Sequence, residues 1–342
     1  MSQETQRSPT DDRGRIRVKG FDAEQLAERG ELYEWEPEGS DMARSRRARA
    51  WRRFKRNRTA LIGVAIIAIM AFAAVFARPI DVAGFTVQPF SLAPYDPGAS
   101  NFDALKQPPS LTHPFGTDWS GKDIFSRVMY GGRFSLSVGF ITVAIALSIG
   151  VPLGSIAGYY GGWIDEVIMR IVDVLYSFPF LVLAIALISV LGQGFWKMIL
   201  ALVLVVWISY ARLIRGEILS VKENEYVTAA EALGARDRSI IFRHVVPNAL
   251  APVIVQATLG IGTIVLSAAA LGFLGLGLQP GTSEWGSMLS SGRETLVQGQ
   301  WWITVFPGLA IFLFVLSINL VGDGVRDALD PQDKSGGDRG VR

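Results

Sequence analysis

Residues 221–248 read VKENEYVTAAEALGARDRSIIFRHVVPN, a polar interruption between two uncharged stretches, residues 198–211 before it and 249–283 after it. In a chain this apolar, a stretch so dense in Arg, Glu and Asp stands out of a bilayer, because charge inside the hydrocarbon is costly. Tyr226, Ala229, Ala230 and Leu233 fall at i, i+3, i+4 and i+7, the spacing of one helix face. Gly234 stops that stripe with a residue free to take positive φ. Asp237 then starts a second short helix carrying Ile240, Ile241 and Val245, and Pro247 suits the first turn of the long helix that follows. The spacing predicts helix, tight turn, helix, with small side chains at Ala229 and Ala230 that let another surface come close.

The run Tyr226, Val227, Thr228, Ala229, Ala230, then Gly234, then His244, Val245, Val246, Pro247, Asn248, resembles the coupling loop of ATP-binding-cassette importer permeases. That loop carries a Glu-Ala-Ala, Gly, Leu-Pro motif; Thr228 stands in the place of its Glu and Val246 in the place of its Leu. The resemblance implies a cytoplasmic helix that docks into a groove of an ATPase subunit, with Ala229 and Ala230 closest to it and Glu223, Glu225, Arg236 and Arg238 as polar contacts around them. The plainer reading of the same residues is an ordinary basic loop between two membrane helices.

Composition sets the outer limits. Of 342 residues, 50% are hydrophobic and 19% charged, with a mean hydropathy of +0.32, which points to a membrane protein. The absence of cysteine excludes thiol chemistry, disulfides and Cys-ligated metals, and the two histidines, His113 and His244, are too far apart in sequence for a His-based metal centre.

Residues 1–43 are polar, with an acidic stretch, and read as a flexible cytosolic tail. No apolar run precedes residue 60, so no signal peptide is expected. Residues 44–58, RSRRARAWRRFKRNR, resemble a nucleic-acid arm in isolation; directly against a hydrophobic span they read as an inside anchor meeting anionic head groups, and no nucleic-acid partner is expected. Residues 60–77 form the first span, making 44–77 anchor plus helix, and residues 78–133 a long outer loop. The core, 134–322, then holds five spans: 134–158, with Gly150 and Pro152 inside it, 171–191, one from Met198 past Ala211, 252–276, and one from Trp301 to Gly322. Asp173 near the inner end of the third span is expected to stay hydrated or pair with Arg170. Glu284 to Leu289 reads as a short interfacial helix, and residues 323–342 as a cytosolic tail. Gly121-Lys122 lacks the rest of a phosphate loop, and His113 beside Pro114 reads as a packed turn residue.

Six spans put both termini on one side, and basic residues choose it: nine lie in 44–58 and six in 212–243, against five spread over 78–133. Positive flanks and the coupling loop thus select the same cytoplasmic side.

Two outer stretches add to the resemblance. His113-Pro114-Phe115-Gly116-Thr117-Asp118 with Gly121, Lys122, Asp123, Ser126 and Arg127, and Leu274 to Pro280 with Glu284-Trp285-Gly286, are similar to the dipeptide, oligopeptide and nickel branch of these permeases. The implied fold is an all-α integral membrane protein, a six-helix type I importer permease with a coupling helix, within 222–247, between the fourth and fifth spans. The implied role is the permease of an ATP-driven importer of di- or oligopeptides in the cytoplasmic membrane, with nickel, glycosides or another small solute as the alternative cargo. Implied partners are a second homologous permease, two ATPase subunits that use ATP and Mg, an extracytoplasmic solute-binding protein and membrane lipid; the chain itself binds no cofactor. It contains no Walker motif and no recognisable catalytic constellation, so it is not read as an enzyme. A secondary transporter or channel would call for polar groups at mid-membrane, of which little is visible, and composition leaves a non-transporting scaffold open. The second, third and fifth spans are expected to line the solute path, with Ser137, Thr142, Ser177, Gln256, Thr258 and Ser267 as its polar groups, some of them bonding to their own helices instead. The charges at Asp118, Lys122, Asp123 and Arg127 suit registration of a docked protein.

Overall fold

Apolar segments of about 20 residues must satisfy every backbone group internally, and helices do so within one segment. The computed structural model describes residues 41–82, 85–279 and 281–329, so the readings for residues 1–40, Pro280 and 330–342 lie outside the described residues. The basic stretch forms α1 (Asp41–Arg56); the body of the fold begins at Arg53. In the body, α2 (Arg58–Phe76) is opened by Asn57, whose side chain accepts from the Ala60 amide at 3.1 Å. Its last carbonyls are capped from a distance: Arg133 donates to Ala74 O and Val75 O, each at 2.7 Å, and also to Arg78 O.

A hairpin of β1 (Ile80–Val82) and β2 (Phe85–Gln88), which the sequence reading missed, follows α2. The second long helix, α3 (Ile124–Tyr160), begins ten residues before the expected start at Phe134, so the outer loop ends at Asp123 rather than Arg133. The physical reason is burial of charge. Asp123 caps the helix by accepting from the Ser126 amide at 2.8 Å, and Arg127, one turn in, is buried against Asp118. Residues that look like loop from composition are helix because their charges are paired inside the fold.

The third expected span, 171–191, is not one helix. α4 (Gly162–Tyr176) and α5 (Phe180–Leu191) meet at 89°. Pro179 lacks an N–H and disfavours helix at Phe178, while the Ser177 hydroxyl folds back onto Val174 O at 2.7 Å. α4 lies along α6 (Phe195–Lys222) through two ion pairs, Asp165 with Arg215 and Asp173 with Arg212, each at 2.5 Å. Asp173 therefore pairs across helices, and Arg170 pairs instead with Glu166 at 3.6 Å.

α6 is the most enclosed helix of the bundle, packed against α3 along most of its length. After a short helical segment come α9 (Val246–Phe273), α10 (Trp285–Val297) and α11 (Trp302–Leu329), the last extending seven residues past the expected end at Gly322. One apolar core joins α3, α6 and α9; a second, built on Trp285, Phe314 and Ile124, joins α2, α10 and α11. By length and composition, the described residues contain five helices able to cross a membrane, or six with the bent α4–α5 pair as one span.

Candidate functional site

Between α6 and α9 the chain forms α7 (Glu225–Ala232), a turn at Gly234, α8 (Asp237–Ile240) and a π-helical turn (Ile241–Val245). The turn has a specific construction. Gly234 stands at φ +76°, its amide bonds Glu231 O at 2.9 Å, and the Ala235 amide bonds Ala230 O at 3.1 Å. These are the two crossed bonds of a Schellman end, with Ala235 and Ala230 packed on the core beneath it. A Cβ at Gly234 would meet nothing within 4 Å, so glycine is required there by backbone conformation and not by space. The π turn has its own cause: Pro247 cannot donate to Arg243 O, and the Val246 amide reaches back five residues to Ile241 O. The carbonyl of His244 is taken up by the Asn248 side chain at 2.6 Å.

The segment is held to the body by Val227, Ile240 and Val245, all at most 1% exposed. Lys222 adds a bond to Tyr159 O at 2.7 Å, with its ammonium 5.2 Å from the Tyr159 ring centroid. The inward face of α7 is therefore Val227 and Ala230, one residue out of phase with the stripe read from Tyr226, Ala229, Ala230 and Leu233. Ala230 is half-buried against the protein's own core, whereas Ala229, Thr228, Glu223 and Glu225 face outward. Tyr226 is 44% exposed, Leu233 88% and Phe242 73%. Phe242 escaped the sequence reading, although its place between buried Ile241 and Arg243 marks it as the outward neighbour of an inward residue. Arg236 and Arg238 are exposed beside them, His244 is half-buried, and Pro247 is exposed in the first turn of α9. The result is an exposed surface with three large apolar side chains among mixed charges, on a hydrogen-bonded turn packed against the core between the two helices it connects.

The six candidate path residues differ in burial and in what their polar atoms bond. Ser177 lies at the α4–α5 break, and its hydroxyl bonds Val174 O; Thr258 and Ser267 on α9 bond Ile254 O at 2.9 Å and Thr263 O at 2.8 Å. Ser137 is half-buried and Gln256 exposed. Thr142 is fully buried on α3, and among the described residues its hydroxyl has no hydrogen-bond partner. Three of the six thus spend their hydroxyls on their own helices.

The outer charges also differ from expectation. Asp118, Asp123 and Arg127 are buried: Asp118 accepts from the amides of Ser120 and Lys122 at 2.8 and 3.0 Å and pairs with Arg127, while His113 bonds Asp123 at 2.9 Å. They knit the loop to the head of α3, and only Lys122 is partly accessible, so registration of a docked protein by this quartet is corrected to a structural role. Glu284 likewise opens α10, accepting from Gly286 and Ser287 amides at 2.7 and 2.8 Å. Burial holds its carboxyl above the ordinary range, and the bonds from those two amides offset only part of that rise. No group of three or more His, Asp or Glu among the described residues could hold a metal ion.

The site is thus a helix–turn–helix fixed between two helices of a bundle whose helices are long and apolar enough to cross a membrane several times. Residues 150–333 match the family model described as "Binding-protein-dependent transport system inner membrane component", and residues 45–109 match the "N-terminal TM domain of oligopeptide transport permease C". The chain belongs to this family of importer permeases and is a multi-pass inner-membrane protein. It is 44% identical over 299 residues to the dipeptide transport system permease protein DppC of Alkalihalophilus pseudofirmus, covering 87% of this chain and 94% of that one. It is also 44% identical over 287 residues to the glutathione transport system permease protein GsiD of Escherichia coli, covering 83% and 90%. Among solved structures, the MetNI methionine ABC transporter in inward-facing conformation aligns with a TM-score of 0.51 at 21% identity, over 60% of this chain and 98% of that one, a likeness of fold alone.

Proposed function

We propose that this chain is the permease of an importer that carries di- or oligopeptides, driven by two ATPase subunits that bind ATP and Mg. A second, homologous permease completes the path, and an extracytoplasmic binding protein delivers the cargo. Both termini are cytoplasmic, in keeping with the basic flanks at 44–58 and 212–243. The observation that carries the coupling role is the outward face of Tyr226, Ala229, Leu233 and Phe242 on a segment whose inner face is locked by Val227, Ile240 and Val245. Motion of a partner docked on that face would pass through the segment to α6 and α9, which it joins directly. Glu225, Thr228, Arg236 and Arg238 would supply the polar rim of the contact.

The peptide cargo rests on the relatives' names, a dipeptide and a glutathione permease, the second carrying a tripeptide. Nickel and glycosides are the alternative cargoes, held by the binding protein and not by this chain. The test is the ligand spectrum of the cognate binding protein, measured by calorimetry and followed by uptake into vesicles with the whole transporter. Micromolar or tighter peptide binding with peptide-stimulated ATP hydrolysis is expected. Tight Ni²⁺ or sugar binding with no peptide affinity would overturn the cargo and leave the permease role standing.

A further inference from the structure

The β1–β2 hairpin carries no part of the coupling or path argument, yet it has two unlike faces. Asp81 and Thr86 stand opposite each other in the register, with the Thr86 hydroxyl donating to Asp81 Oδ1 at 2.6 Å. Phe85, next to Thr86 in the strand, points to the other side of the pleat and is 79% exposed; Val87, left out of the pairing where the register shifts between Ile80 and Asp81, is 68% exposed, and Phe90 beyond the strand is 66% exposed. Gln88 is turned into the protein, where its amide donates to Phe90 O at 2.7 Å.

The root of the hairpin is fixed at the end of a membrane helix. The Leu92 amide bonds Phe76 O at 2.7 Å, the Ala93 amide bonds Ala77 O at 3.1 Å, and the Ser91 hydroxyl bonds Ala77 O at 3.1 Å. Phe76 is the last residue of α2, so both ends of the hairpin are tied to the point where that span leaves the hydrocarbon. A strand of four residues reaches about 13 Å, so the hairpin stays close to that point, and lies at the interface if it runs along the membrane surface. α2 itself buries only Ala60, Gly63 and Ala74 and exposes Ile62, Ile69, Phe72 and Val75, so the span that leads into the hairpin is itself broadly apolar on its outside. Large apolar side chains in such a place gain by entering the acyl boundary, as interfacial anchors do.

We infer that the β1–β2 hairpin is a membrane-interface anchor, laying Phe85, Val87 and Phe90 into the lipid leaflet at the end of α2 with Asp81 and Thr86 toward water. It extends the lipid-facing surface of the first span sideways and fixes the depth and tilt of α2. The inference rests only on the membrane placement of the family and is independent of cargo.

Because the chain has no cysteine, single spin labels test this directly. F85C, T86C and V87C are each labelled in the full chain with its co-purifying subunits, in vesicles of phosphatidylethanolamine and phosphatidylglycerol, and collision with oxygen and with a water-soluble nickel chelate is measured. Labels at 85 and 87 are expected to collide several-fold more with oxygen than with the chelate, and the label at 86 to show the reverse. Free access of the chelate to all three would overturn the inference, and so would shelter of 85 and 87 from both reagents, the signature of a protein cover. Retained subunit co-purification and unchanged label mobility at 86 identify a folded variant, so a misfolded one is not read as either outcome.

Discussion

Gly234 carries the clearest single-residue requirement in the coupling segment. Its φ of +76° costs a residue with a Cβ about 1–2 kcal/mol, more for a β-branched one, and there is no steric wall to add to this because nothing lies within 4 Å. The two contributions can therefore be separated. Gly234→Val is expected to lower ATPase association and uptake while leaving membrane insertion intact; Gly234→Asn, which tolerates left-handed backbone, is expected to recover most of the loss. Co-purification of ATPase with each variant reads this out, and equal failure of both would reject the conformational account. Gly234 was legible in the sequence because it ends an apolar stripe. The phase of that stripe was not: alanine fits an inner or an outer face equally, and only Val227 with Ile240 and Val245 decides that Ala230 points inward.

At the scale of elements, the α3–α6 pair is held by close backbone approach. Gly150, Gly154 and Gly158 recur every four residues on α3: a Cβ at Gly150 would stand 2.6 Å from Trp207 O, one at Gly154 would run into Ala211 O, and one at Gly158 would stand 2.9 Å from Arg215 O. Small residues at this spacing let membrane helices meet backbone to backbone. Gly154→Leu is expected to cost at least about 1–3 kcal/mol as overpacking, seen as a lower melting temperature by size-exclusion in detergent. Gly216→Ala on α6, where the added Cβ meets nothing, should be neutral or gain up to about 1 kcal/mol; a similar loss in both would show that the helices do not meet through this stripe. The spacing is present in the sequence, but Gly150 stood out there only beside Pro152 inside the second span, and α3 includes both in one helix. The break at Ser177-Phe178-Pro179 was visible in composition yet left inside one span, since membrane helices often accommodate proline and only packing of α4 on α6 turns the break into a corner.

For the whole molecule, the order of spans and the place of the coupling segment were legible because hydropathy and charge asymmetry act along the chain, residue by residue. What escaped depends on contacts between distant segments. Arg127 and Asp118 look like loop charges until they are found buried together, and Arg133 looks like a flank until it caps the end of α2. The central claim is that the outward face of the 225–243 segment transmits ATPase motion to α6 and α9. The most direct measurement is site-specific crosslinking of single cysteines at Tyr226, Ala229, Leu233 and Phe242 to the ATPase subunits, with Val227 and Val245 as inward controls, during ATP-driven uptake. Crosslinks from the four outward positions and none from the two inward ones is the predicted result. An intact complex in which none of the four reaches an ATPase subunit, or in which the inward pair crosslinks as well as the outward four, would contradict the account.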